Sequence, residues 1–272
     1  MKVEEVKQIT NKALEELAVS LESGHSEALT SYLKTMALFS KYSLNNLFLI
    51  ARQRPDARRV AGYQTWRKLG RFVRKGEKGI AIIAPLVRRK PEMESLESTE
   101  NKSVVSGFKV AHVFSEEQTD GEALPEIGCV TGDPGYFLSR LEQFVRENGI
   151  VLRYSDEIAP ARGMAEKGKI TLLPEQTPAE TFATLAHEVA HSELHFGDRR
   201  SETTKRIRET EAESVAYVVC SAIGLETGTA AQDYVGLYGG DSGLLLQSLQ
   251  YIQQAANRIL TAIAPENSAT PA

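Results

Sequence analysis

"TLAHEVAHSEL", residues 184–194, places two histidines four apart with a glutamate directly after the first. The chain holds only 5 histidines, so an HExxH pattern would arise by chance in roughly one sequence in a hundred of this length and composition. The segment belongs to a helix with legible ends. Thr177-Pro178-Ala179-Glu180 reads as a capping box, with Thr at the N-cap, Pro at the first helical position and Glu at the third. Gly197 is placed to close it, which predicts a helix over 178–196. At 100° per residue Phe182, Leu185, Val189 and Glu193 fall within about 60° of one another, with Phe196 nearby. His187 and His191 face the other side, which fits poorly with two histidines satisfied inside a core. Four residues advance a helix by about 6 Å, so both imidazoles can converge on one ion while Glu188 stands beside it.

Two histidines do not complete a catalytic metal shell, which needs a third protein ligand and an open position. His195 lies on the same helix, but His187 and His195 are about 12 Å apart along its axis, too far for one ion. The extended pattern HExxHxxGxxH is absent. The chain reads "HEVAHSELHFG", with Leu194 at the glycine position and Gly197 at the third histidine position. A following helix offers "RETEAESVAYVVC", 208–220. There Glu209 and Glu213 share a face, while Ala212, Val215, Ala216, Val219 and Ile223 pack the other. Glu211 points elsewhere. Glu209 is therefore the expected ligand, and Glu213 the carboxylate expected to orient a metal-bound imidazole.

The rest of the chain divides by charge. Its 272 residues have the apolar content of an ordinary globular protein, 42%, and a net charge of −4. Residues 51–90 hold thirteen Lys and Arg against Asp56 and Glu77, about +11, and residues 1–50 about −1, leaving about −14 for 91–272. Two cysteines, Cys129 and Cys220, make neither a disulfide framework nor a cysteine-rich zinc site, so a reducing cytoplasm is expected. The charged start MKVEEVKQIT is unlike a signal peptide, and no stretch approaches membrane-spanning length, so no membrane partner is expected.

Apolar spacing predicts a helix over 3–22 and a second helix or broken pair over 26–53, then a short helical piece around Trp66. Strands are expected at 80–85 and 106–115, flanking an acidic, polar loop at 91–103 read as mobile. "EEQTDGEALPEIGCVTGDPG" at 116–135 reads as a linker, giving domains of 1–130 and 131–263 and a disordered tail at 264–272. The second domain opens with a helix near 134–147 and a strand from Ile150. A hairpin turning at Lys167-Gly168 follows, then the 178–196 helix and two more near 203–223 and 241–262. The hairpin's second strand, 169–173, is the expected edge for an extended peptide. The fold class is α+β.

Between residues 51 and 90, Arg and Lys alternate with aromatics. Cations neutralise phosphates and flat rings stack on unpaired bases, a combination suited to single strands without sequence preference. The candidate contacts are Tyr63, Trp66, Arg67, Lys68, Arg71, Phe72, Arg74, Lys75 and Lys78. The competing reading is a solubilising basic face with Trp66 packed inward.

"HEVAH" followed by "ETEAESVA" resembles the gluzincin metallopeptidase arrangement, departing from it at Glu213, where Asp or Asn is usual. Together with "YSLNNLFLIARQRPDARRVAGYQTWRKLGRFVRKGEKGIAIIAPL", 42–86, the pattern resembles the ArdC-type antirestriction proteins of conjugative elements. The resemblance covers most of the chain and is weakest over 91–132 and in the tail. It implies an N-terminal helical and small-sheet domain that binds single-stranded DNA, followed by a zincin-like metallopeptidase domain related to the ImmA/IrrE group. It also implies protection of incoming plasmid or phage DNA from restriction. One Zn2+ held by His187, His191 and Glu209 would activate water, with Glu188 as general base on a peptide substrate. Tyr217, Tyr234, Tyr238 and His195 are the candidates to stabilise the oxyanion. The alternative is a DNA-coating module whose metal is structural. A nuclease is disfavoured, since phosphodiester chemistry generally recruits carboxylate-rich magnesium sites.

Overall fold

The computed structural model describes residues 3–23, 27–57, 59–68, 70–89, 103–121, 132–159, 161–226 and 241–264. The expected boundary near 130 lies outside them, as do the acidic loop, apart from Ser103, and the tail, apart from Ala264. The architecture is α+β. One compact unit comprises 1–13 and 48–122, the other 14–47 and 123–272. Residues 14–47, expected with the basic domain, count with the second unit.

The leading segment forms α1 (Val3–Glu22), α2 (Glu27–Leu38) and α3 (Leu44–Gln53), so the broken pair is two helices. In the first unit β1 (Val60–Gly62) runs into α4 (Tyr63–Lys68), followed by β2 (Arg71–Val73), β3 (Ile80–Arg89), β4 (Ser103–Ser115) and β5 (Thr119–Gly121). β1, β4 and β3 make an antiparallel sheet in that order, and β2 pairs with β5. β1 covers only Val113–Ser115 of β4, while β3 follows β4 to the Arg89–Ser103 pair. The hairpin therefore continues past the sheet as a two-stranded ribbon, longer than the apolar runs predicted. Pro85 is tolerated because β3 is an edge strand among the described residues. Trp66 is 1% exposed, and its indole N–H donates to the Phe114 carbonyl at 2.9 Å.

In the second unit α5 (Tyr136–Glu147) leads to β6 (Val151–Tyr154), β7 (Gly163–Glu166) and β8 (Lys169–Leu172). The sheet order is β6-β8-β7, with β6 parallel and β7 antiparallel to β8. The expected edge strand at 169–173 is thus the central one; its Ile170 and Leu172 are fully buried, and among the described residues the edges are β6 and β7, with β7 against α6. Gly168 turns the hairpin at φ 75°, a conformation that suits glycine in a two-residue loop. Then come α6 (Pro178–Leu194), α7 (Arg199–Glu202), α8 (Lys205–Ala222) and α9 (Ser242–Ile263). α8 lies against α6, α9 and α2, and burial of Leu185, Val189, Val215, Val219, Leu249 and Ile252 marks the core between them. Gln253 on α9 donates to the carbonyls of Ser40 and Tyr42 just after α2, at 3.3 and 3.0 Å. Among the described residues no helix is long and apolar enough to cross a membrane.

Candidate metal centre

α6 begins at the expected capping box. The Thr177 hydroxyl accepts from the Glu180 N–H at 3.3 Å, and the Glu180 carboxylate accepts from the Thr177 N–H at 3.0 Å. The helix closes at His195 rather than Gly197, with the His195 N–H on the His191 carbonyl at 2.9 Å. One turn apart, His187 and His191 bring their Nε2 atoms to 3.1 Å from each other. From α8, Glu209 Oε2 reaches 3.6 Å from His187 Nε2 and 3.5 Å from His191 Nε2. Zn–N bonds of about 2.0–2.1 Å put neighbouring ligand atoms of a tetrahedron about 3.3–3.4 Å apart. The three atoms stand close to one face of such a tetrahedron, and the donor set fits a divalent ion.

His195 does not join this face; it backs it. Its Nδ1 lies 2.9 Å from His191 Nδ1, and its Nε2 lies 3.0 Å from Glu211 Oε2. If His191 presents the Nε2 lone pair to an ion, its Nδ1–H donates to His195 Nδ1, and the His195 Nε2–H then donates to Glu211. Donation then runs in one consistent direction, from the His191 face to the Glu211 carboxylate. Glu211 is fully buried. Arg199 grips both its oxygens at 2.6 and 2.5 Å, and Ser248 Oγ donates to it at 2.5 Å. Burial pushes its carboxyl up, but the Arg199, His195 and Ser248 hydrogen bonds outweigh this and hold it below the usual range. The carboxylate hydrogen-bonded behind the His191 ring is Glu211, through His195, whereas Glu213, expected there from sequence, is exposed on the cavity wall. The missed signal was positional: Glu211 precedes Ala212 and lies one turn before Val215, on the packed face of α8. An acid there needs partners, and His195, one turn after His191, was available.

Burial pulls His187 down, yet the Glu209 carboxylate and the charges of Glu188, Glu209 and Glu213 raise it overall. Burial and the His187 charge lower His191 to about 4. The His187 imidazole draws Glu209 down to about 2 despite burial. The Glu209 carboxylate thus favours a proton on His187 while His191 stays neutral, and a cation at this face would compete with that proton.

A cavity of about 750 Å³ opens on this face, with β7 as a wall and Glu188 and Tyr217 in its lining. Glu188 is 6% exposed; burial raises its carboxyl, the neighbouring His187 opposes this, and the Ala165 N–H also donates to it. Of the oxyanion candidates, His195 is committed to the chain of hydrogen bonds. Tyr217 lines the cavity, and Tyr234 and Tyr238 lie outside the described residues.

The basic unit sorts its candidates sharply. Tyr63 and Phe72 are 47% and 56% exposed, and Arg67, Lys68, Lys75 and Lys78 are exposed beside them in sequence. Trp66 is not available for stacking, because its ring fills the core and its N–H is used. Arg71 donates to the Thr119 hydroxyl and carbonyl at 2.8 and 3.0 Å. Arg74 bridges Glu77 at 3.0 Å and Asp120 at 3.3 Å. Both arginines therefore brace the β2–β5 pair. An exposed aromatic that sequence reading passed over is Phe108 on the ribbon, 60% exposed between Gly107 and Lys109.

Residues 3–114 match the profile of the N-terminal domain of anti-restriction factor ArdC. The match covers less than half of the chain. The fold as a whole is ArdC-like: a crystal structure of antirestriction ArdC from the R388 plasmid, in its metal-free form, aligns with 95% of this chain and 97% of that one at TM-score 0.52 and 22% identity. A Mn(II)-bound structure of the R388 protein aligns over 83% and 90%, at TM-score 0.46 and 22% identity. An uncharacterized Bacillus anthracis protein is 24% identical over 304 residues, covering 96% of this chain and 51% of its own length. The chain thus spans about half the length of that curated relative.

Proposed function

We propose that this ArdC-like chain binds single-stranded DNA through its first unit and carries a zinc-dependent peptidase site in its second, acting against restriction. The observation that carries the peptidase reading is the triangle of His187 Nε2, His191 Nε2 and Glu209 Oε2, with sides of 3.1, 3.5 and 3.6 Å, beside a buried Glu188. Two imidazoles and one carboxylate are a zinc donor set that leaves the fourth position open. When bound, the ion would supply Lewis acidity at a substrate carbonyl and bring the pKa of a coordinated water toward neutrality.

Glu188 accepts a proton from the attacking water and returns it to the leaving amine. Its raised pKa suits that return, and the Ala165 N–H fixes which way the carboxylate faces. His195 and Glu211 hold the His191 ring, and Tyr217, which lines the cavity, would donate to a developing oxyanion. In the first unit, exposed Lys68, Lys75 and Lys78 neutralise phosphates, while Tyr63 and Phe72 offer stacking faces.

The test is zinc content of wild type, His187→Ala and Glu209→Ala, with binding of a labelled thymidine oligonucleotide on the same samples. Loss of zinc in both variants with oligonucleotide binding intact supports two separate sites; zinc retained in both sinks the ligand assignment. Glu188→Gln should keep the metal and abolish hydrolysis. Antirestriction surviving that change would make DNA coating the working part.

A further inference from the structure

The cavity beside His187, His191 and Glu209 sits in the acidic part of the chain, residues 91–272 at about −14, yet its own lining is not acidic. Arg162, Arg200, Lys205 and Arg208 stand against Glu188, Glu209 and Glu213, four positive charges to three negative. One divalent ion would bring the balance to about +3. These cations are unevenly spread. Arg162, at one end, is offset by Glu180 at 3.2 Å. The other three come from the α6–α8 connection and the first turns of α8. Arg208 donates to the carbonyls of Arg200 and Thr203, shaping that connection while keeping its charge. Arg200 lies over the Phe196 ring at 5.7 Å, and Lys205 is exposed with no ion pair among the described residues. Uncompensated charge inside a cleft concentrates the field on whatever enters it.

The opposite wall selects the kind of chain. The Leu173 N–H bonds the Arg162 carbonyl at 2.8 Å, and Met164 pairs with Thr171, so Arg162 and Met164 turn their backbone groups to β8. By strand alternation Gly163 and Ala165 turn theirs to the cavity, and among the described residues only the Ala165 N–H is already taken, by Glu188. A strand edge with free main-chain groups suits an extended polypeptide. A nucleic-acid strand would instead draw a continuous row of phosphates past three carboxylates.

Resting on the peptidase reading, we propose that this cavity takes an extended polypeptide segment rich in acidic side chains, whose carboxylates are met by Arg200, Lys205 and Arg208. The site thus selects among peptides by charge as well as by strand pairing.

The test uses zinc-loaded Glu188→Gln full-length protein. Three fluorescent twelve-residue peptides on one Gly/Ala/Val frame carry four Glu, four Gln or four Lys, and binding is read by anisotropy. The Glu peptide should bind about tenfold tighter than the Gln peptide, with the Lys peptide weakest. Adding Arg200→Gln and Lys205→Gln should erase the difference while zinc is retained, and Arg200→Glu with Lys205→Glu should invert it. Equal binding of the Glu and Gln peptides overturns the charge selectivity and leaves the peptidase reading standing. Failure of all three peptides to bind overturns both. Displacement of the Glu peptide by a thymidine oligonucleotide, lost in the same double variant, reassigns the cavity to nucleic acid and overturns the proposal.

Discussion

A Cβ added at Gly163 would lie 2.7 Å from Glu188 Oε1 and 2.7 Å from Thr184 Cγ2. No side-chain carbon tolerates such approaches, so β7 rests against α6 only because this residue is glycine. Gly163→Ala should push the strand away and remove the Ala165 N–H from Glu188. Hydrolysis of a peptide substrate then drops about 100-fold, as for a misplaced catalytic group, while metal content by mass spectrometry stays at one ion. Full activity in the variant would show that β7 does not position Glu188. A second contrast concerns two aromatics of the basic unit. Phe72→Ala should weaken oligonucleotide binding by about 1–3 kcal/mol per stacked base lost, with the thermal midpoint unchanged. Trp66→Ala should cost about 3–5 kcal/mol of stability through the cavity it leaves. Calorimetry and anisotropy on both variants separate the roles; a Phe72 variant that binds like wild type removes that ring from the interface.

Helices α6, α8 and α9 are joined by the fully buried Glu211, which takes hydrogen bonds from His195, Arg199 and Ser248. Removing one member strands the others, so Glu211→Ala should destabilise the second unit by about 3–5 kcal/mol in urea unfolding. The sign of its pH dependence follows from a folded pKa held below the usual carboxylate range. The contribution is complete above the unfolded carboxylate pKa, about 4.3, and fades as pH falls through the folded value. Wild type should therefore lose stability more steeply than Glu211→Gln below about pH 4, and coincident acid limbs would remove Glu211 from that role. This network also marks where sequence reading stops. Helix α6 was legible because its determinants are local: a capping box, an apolar stripe, and two histidines one turn apart. The approach of Glu209 to the two imidazoles was legible because helical periodicity separates it from the packed face of α8. Glu211 was not, because its partners come from two separate stretches, His195 with Arg199 before α8 and Ser248 on α9. The three-residue strands β2 and β5 escaped for the same reason, since their pairing joins residues 71–73 to 119–121 and leaves no periodic trace.

At the scale of the whole molecule the two units carry opposite charge and separate groups of functional residues. Lys68, Lys75 and Lys78 belong to the first unit, whereas His187, His191 and Glu209 all belong to the second. Counterion release makes log affinity for a single strand fall with log salt, at a slope of about −0.7 per phosphate neutralised. Replacing Lys68, Lys75 and Lys78 by Gln should therefore flatten that slope by about 2, alike for oligonucleotides of different sequence if the contacts are to phosphates alone. Arg71→Gln and Arg74→Gln should act differently. Their guanidiniums already serve Thr119, Glu77 and Asp120, so the thermal midpoint should fall more than the salt slope changes. Stripping the ion with a chelator should leave the slope unchanged while peptide hydrolysis is lost. A slope that survives the triple substitution would place the phosphate contacts elsewhere on the first unit, with the ribbon that carries Phe108 and Lys109 the next surface to substitute.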